Sequence, residues 1–124
     1  MEPIHIKESI VSPRTILDKD LAMFEISGNS YMSNPVMHYT AVLNWLNEYV
    51  RDPLPETRFV FNLEYSNSAT IKLLNEIIIV LLKIKGTSKK LEIQWYYNDD
   101  DEDCIDIGKQ FETINKFPFN FIRK

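Results

Sequence analysis

The hydroxyls of Ser66, Ser68 and Thr70 occupy alternate positions in the run Tyr65-Ser66-Asn67-Ser68-Ala69-Thr70-Ile71-Lys72, where a strand-like pattern gives way to a helical one. Side-chain oxygens at a helix start do one of two things. They cap, accepting a hydrogen bond from an orphan N–H of the first turn. Alternatively, one of them carries a phosphoryl group, whose charge meets the same N–H donors and the positive end of the helix dipole. A single hydroxyl is enough for the cap, so the others are open to a second use. Ser68 in particular can be modified there without unfolding the helix.

A second concentration of polar groups, Asn98-Asp99-Asp100-Asp101-Glu102-Asp103, has the density of a calcium loop without its spacing. Counting from Asp99, the sixth and twelfth positions are Cys104 and Gln110, where such a loop needs glycine and glutamate. The run reads instead as a solvated, dipole-favouring helix start. If it lies beside Ser68, a phosphate there deepens a negative patch and repels a partner. His5 and His38 are the only imidazoles and fall in no motif with Ser68, Cys104 or a carboxylate. No Gly-rich loop, P-loop lysine motif or metal-ligand cluster occurs, so no cofactor or metal is expected. A small nucleotide-binding or hydrolytic enzyme stays as a rival reading. It requires a deep pocket with His38 or a carboxylate within reach of the Ser68 hydroxyl.

The elements that must position Ser68 follow from periodicity. Arg58 to Tyr65 alternates, with Phe59, Phe61, Leu63 and Tyr65 on one face and Arg58, Asn62 and Glu64 on the other. Leu91 to Tyr97 repeats the design, with Leu91, Ile93, Trp95 and Tyr97 opposed to Glu92, Gln94 and Tyr96. Between them a helix is expected from about Ala69 to Lys85, stopped by Gly86. Strand, helix and strand make a right-handed crossover between parallel strands, and functional sites gather beyond the carboxyl ends of such strands. The polar second face of both strands places helices mainly on one side.

Upstream, Arg14 to Leu17 and Leu21 to Ser27 read as a hairpin around Asp18-Lys19-Asp20, with a further short strand within Ile4 to Ile10. A helix opens at Asn34-Pro35, with Asn34 as N-cap and Pro35 at the first helical position. Val42, Trp45, Leu46, Tyr49 and Val50 form its buried stripe, and Asp52-Pro53 ends it. Downstream, Asp101 to Asn115 is a helix with Ile105, Gly108, Phe111 and Ile114 inward, and Asn120 to Ile122 a last strand. The expected fold is a single two-layer α/β domain over residues 1–124, a mixed sheet with helices mainly on one face.

On the central helix, at about 100° per residue, Ser68, Lys72, Asn75, Glu76, Ile79 and Lys83 share a stripe, while Ile71, Leu74, Ile78, Leu81 and Leu82 turn to the core. Ile79 is an apolar side chain in a polar stripe that begins at the modifiable serine. Asn67, Ser68, Lys72, Asn75, Ile79 and Lys83 are therefore the candidate partner-binding residues.

Composition narrows the partner class. Fourteen basic against 18 acidic residues give a net charge of -4, which excludes a basic nucleic-acid footprint. The longest apolar stretch, Ile77 to Leu82, is far short of the ~20 residues that span a bilayer, so no membrane insertion is expected. With one cysteine and the opening Met1-Glu2-Pro3-Ile4-His5, which is not a signal peptide, a cytoplasmic location is expected.

The run Phe61-Asn62-Leu63-Glu64-Tyr65-Ser66-Asn67-Ser68-Ala69-Thr70-Ile71-Lys72 resembles the signature of the SiaC family of bacterial regulatory phosphoproteins. The likeness extends to Gly28-Asn29-Ser30-Tyr31 with Asn34-Pro35, to Trp95-Tyr96-Tyr97 and to Phe117-Pro118-Phe119. The family pattern is a hydrophobic strand, a tyrosine, then Asn-Thr-Ser-Ser-Ile-Lys. Its phosphoacceptor threonine falls on Ser68, and its Ser-Ser on Ala69-Thr70, which makes Thr70 the second candidate. The resemblance implies a STAS-like layout and a non-enzymatic role. It also implies reversible phosphorylation by a dedicated protein kinase, reversal by a PPM-type phosphatase, and binding of the unmodified form to a diguanylate cyclase that it activates. Cyclic-di-GMP signalling and biofilm behaviour lie downstream of such a switch. An anti-anti-sigma-like binding protein is the neighbouring alternative, although the Asp-Ser-Ser-Gly signature of that group is absent.

Overall fold

Six strands and three helices realise these patterns. In chain order, the computed structural model, which describes residues 2–124, holds β1 (Ile4–Ile6), β2 (Arg14–Asp18), β3 (Met23–Ser30), α1 (Val36–Tyr49) and β4 (Glu56–Ser66). Then come α2 (Ser68–Leu81), a 3-10 turn (Leu82–Gly86), β5 (Lys90–Tyr97), α3 (Glu102–Asn115) and β6 (Asn120–Arg123). The sheet order is β1-β2-β3-β4-β5-β6. β1, β2 and β3 pair antiparallel, and β3, β4, β5 and β6 are parallel. Three successive crossovers thus step in one direction. Since each right-handed crossover lays its helix on the same side, all three helices cover one face.

That face holds the core. Leu17, Phe24, Ile26, Phe59, Phe61, Leu63, Ile93 and Trp95 on the sheet are buried with Tyr39, Val42, Leu46 and Tyr49 of α1 and Leu74, Ile77, Ile78 and Leu81 of α2. The open face is closed off by polar pairing instead. Arg14 pairs with Glu25, Lys124 with Glu64, and Arg58 with Glu92, which also accepts from Gln94 and Asn120. The Asn120 hydrogen bond first, and then those of Gln94 and Arg58, hold the Glu92 carboxyl below its ordinary range.

Several boundaries differ from the sequence reading, each for a local reason. Only Ile4–Ile6 pairs as a strand, because the chain then turns on Ser9, whose hydroxyl accepts the N–H groups of Val11 and Ser12. Pro35 sits at the cap of α1 with helical dihedrals, its carbonyl taking the Tyr39 N–H, and no side chain caps the helix, so Asn34 does not serve. α2 tightens after Leu81, and its end is closed by Thr87, whose N–H and hydroxyl both donate to the Ile84 carbonyl. Ile114 is exposed, and α3 leans inward through Cys104, Ile107, Gly108 and Phe111.

Gly108 sets how close α3 lies. A Cβ there would stand 2.7 Å from Cδ1 and Nε1 of Trp95 and 2.9 Å from Cε1 of Phe121. Replacing Gly by Ala in a helix normally gains about 1 kcal/mol, whereas overpacking costs about 1–3 kcal/mol. Gly108→Ala is therefore expected to lower the urea midpoint, and a raised midpoint would show that α3 is free to move away.

At the other edge, Asp18 ties β1 to the hairpin. Its Oδ2 lies 2.8 Å from His5 Nε2 and its Oδ1 accepts the Leu21 N–H. The His5 hydrogen bond foremost, then that of Leu21, holds the Asp18 carboxyl below 3.8. A depressed carboxylate pKa contributes stability that is full above the unfolded value and lost as pH falls through the folded one. In pH-dependent unfolding, wild type is expected to exceed Asp18→Asn at neutral pH and to converge with it as pH drops below 3.8.

Candidate functional site

The turn from β4 into α2 is built by one side chain. Asn67 has extended dihedrals, and its backbone N–H donates to the Ser30 carbonyl, prolonging the β3–β4 pairing by one step. Its Oδ1 accepts the Thr70 N–H at 2.9 Å, and its Nδ2 donates to the Met32 carbonyl at 2.9 Å. The cap is thus an amide and not one of the three hydroxyls, so Ser68 is spared that role. Ser68 itself is exposed at the first position of α2.

Thr70, the second modification candidate, is 0 % exposed. Its hydroxyl lies 2.8 Å from Ser30 Oγ, which in turn accepts the Tyr39 hydroxyl at 3.2 Å. Burial pushes the Tyr39 phenol up to about 12, so it stays a neutral donor. Thr70 is thereby a buried link between β3, α1 and α2, whereas Ser68 is open to solvent.

Of the other candidate contact residues, Lys72 and Ile79 are exposed on the same face of α2 as Ser68. Asn75 is half-buried and accepts from Asn115 of α3. Lys83 lies beyond α2 in the 3-10 turn and donates to Asn47 of α1.

The sequence alternation predicts Tyr65 inward, yet it is 48 % exposed and stacks on Tyr31 with ring centroids 4.6 Å apart. The cause is a register shift: Gly28 pairs with Leu63 but Asn29 with Tyr65, leaving Glu64 as an extra residue that inverts the alternation. Gly28 takes a φ of 104° at this shift, a region that favours glycine. This aromatic pair is absent from the candidates drawn from sequence, because the alternation of β4 carries no sign of the extra residue.

A cleft of about 410 Å³ opens between the ends of β4 and β5 and the flanking helices. It is lined by Leu63, Tyr65, Ser66, Ile71, Trp95, Cys104, Ile107, Gln110 and the carboxylates Glu64, Asp101, Asp103 and Asp106, but not by Ser68 or His38. His38 lies 3.1 Å from the Thr15 hydroxyl, and burial lowers its pKa. Burial, then Asp101, pushes the Cys104 thiol up, which keeps it from nucleophilic use. Asp101 caps α3 through the Cys104 N–H and Asp99 pairs with Arg123, so the acidic run opens a helix. Among the described residues, no group of three or more His, Cys, Asp or Glu is placed to hold a metal ion, and no helix is long and apolar enough to cross a membrane.

The profile of the SiaC family regulatory phosphoproteins matches residues 6–124. The chain belongs to that family. A chain in the crystal structure of diguanylate cyclase SiaD in complex with its activator SiaC from Pseudomonas aeruginosa superposes with a TM-score of 0.88. It is 21% identical, with 98% of this chain and 99% of that one covered. Apo-SiaC from the same organism gives 0.82 at 20% identity, covering 100% and 99%. An uncharacterized protein of Pseudomonas aeruginosa strain UCBPP-PA14 is 22% identical over 119 residues, 96% of this chain and 94% of that protein.

Within the SiaC layout, Asn67 does two separable jobs: it caps α2 and it pins the loop after Tyr31. Asn67→Ala loses both and is expected to cost about 1–2 kcal/mol in urea unfolding. Asn67→Asp keeps the cap acceptor and loses the amide donor to Met32. It should retain most of the stability while amide exchange at Tyr31 and Met32 speeds up; unchanged exchange there would show that the loop holds itself.

Proposed function

We propose that this SiaC family member is a phosphorylation-controlled partner switch. Its unmodified form binds and activates a diguanylate cyclase, a protein kinase transfers a phosphoryl group to Ser68, and a PPM-type phosphatase removes it. The observation that carries the reading is the exposed Ser68 at the first position of α2, with the cap supplied by Asn67.

The chemistry at this position suits a reversible mark. Asn67 already accepts the Thr70 N–H through its side chain and the Ile71 N–H through its carbonyl. The N–H groups of Ser68 and Ala69 lie at the dipole's positive end for the phosphate to engage, an effect of about 0.3–1 kcal/mol in favour of the modified helix. Modification therefore leaves the fold intact and changes the surface. The relative's complex with a diguanylate cyclase supports the choice of output partner. Neither the cleft nor His38 gathers around Ser68, which argues against the hydrolytic rival.

The test pairs mass spectrometry with a cyclase assay. Incubated with its cognate kinase and ATP, the protein is expected to gain one phosphate on Ser68, and Ser68→Ala none. Unmodified protein and Ser68→Ala should raise cyclic-di-GMP synthesis by the cognate cyclase, while the phosphorylated form should not. Phosphate found elsewhere with Ser68 untouched, or equal activation by both forms, sinks the reading.

A further inference from the structure

Ile10, Val11, Tyr31, Val36, Met37 and Tyr65 are large apolar side chains left exposed, and all lie at the end of the domain where β3 and β4 run out and α1 begins. Tyr31 and Tyr65 are stacked, with planes inclined by only 18°. The Tyr31 N–H donates to the Val11 carbonyl at 2.7 Å, and Asn67 holds the adjoining Met32. The aromatic pair is thus fastened to the β1–β2 loop on one side and to the start of α2 on the other. Stacked, pinned tyrosines lose little conformational freedom on binding, the property of interface anchors.

We propose that this patch is the anchor against which the cyclase packs an uncharged, apolar face, and that phosphate on Ser68 acts by forcing a solvated dianion into that dry contact. The proposal rests on the partner-switch reading and adds where and how the partner is held. Charge matching selects the occupant. The six side chains are all apolar or aromatic, in a chain of net charge -4, so a charged partner surface would be desolvated over them without compensation. Ser68 begins α2 three residues after Tyr65, at the patch's margin. A phosphate in an apolar interface disrupts through its own hydration, an effect that salt screens far less than it does repulsion between separated charges.

The experiment measures affinity of the unmodified protein for its cognate cyclase by calorimetry, with melting curves to confirm folding. Tyr31→Ala and Tyr65→Ala are each expected to weaken binding about 10-fold or more, and Tyr31→Phe and Tyr65→Phe by less than about 3-fold. Met37→Glu, at a residue 82 % exposed and so harmless to packing, should weaken it comparably even if an alanine variant fails to fold. The deficit caused by Ser68 phosphorylation should persist when salt is raised from about 0.1 to 1 M, where the screening length falls from about 10 to 3 Å. Wild-type binding with undiminished binding by the alanine variants and Met37→Glu overturns the patch alone. A deficit that vanishes in high salt overturns the desolvation mechanism, and wild-type dimers dissolved by Tyr31→Ala would assign the patch to a second copy. If wild type binds no cyclase, the underlying functional reading falls instead.

Discussion

The hydroxyls of Tyr39, Ser30 and Thr70 form a buried chain beneath the end of β3 and the starts of α1 and α2, and the surface around Ser68 depends on it. Tyr39 donates to Ser30, Ser30 meets Thr70 at 2.8 Å, and Thr70 passes its backbone N–H to Asn67. One strand end and two helices are thereby fixed to one another by groups that have no water to fall back on. Removing any member leaves a partner unsatisfied, at a cost of about 1–3 kcal/mol. Apolar side chains could fill the same volume, yet they would not choose one register among several. Directional hydrogen bonds do.

Topology then decides which helix start can carry a mark. Parallel strands joined by crossovers of one hand bring the starts of α1, α2 and α3 to the same end of the sheet. The three starts are not equivalent. α1 opens with Pro35, Val36 and Met37, which hold no hydroxyl, and the first turn of α3 already carries Glu102 and Asp103. The first turns of α1 and α2 both lack carboxylates, and of these two free dipole ends only that of α2, with its neutral amide cap, offers an exposed serine.

Sequence patterns reveal most of this architecture because alternation and three-and-four spacing report directly which face is buried. Phe59, Phe61 and Leu63 turn inward as period two requires, and Leu74, Ile78 and Leu81 line the inner face of α2. The site was less legible, since its decisive features are contacts between distant segments. A serine-rich helix start suggests hydroxyl capping, whereas the amide of Asn67 does the work because it can also reach Met32. Thr70 reads as one more surface hydroxyl until Ser30, 40 residues away in the chain, is placed beside it. Tyr65 is misread for a sharper reason. One extra residue, Glu64, inverts the alternation, and a side chain drawn for the core emerges at the surface.

A switch of the proposed kind must separate two demands that usually compete. A mark that melts a helix changes a large surface but spends folding energy each time it is added, whereas a mark on a rigid helix start alters only local charge and hydration. Here the cap and the buried hydroxyl chain hold the backbone in one arrangement, so under the proposed switch a mark on Ser68 would leave the shape unchanged. The difference in partner affinity has then to arise from the phosphate's own interactions, because a modification shifts an equilibrium only by its differential free energy in the two states. Linkage makes the relation reciprocal: whatever factor the phosphate removes from partner affinity, the bound partner removes from the equilibrium for phosphorylating Ser68. A partner that covers the Tyr31–Tyr65 patch would consequently protect the serine as strongly as the phosphate excludes the partner.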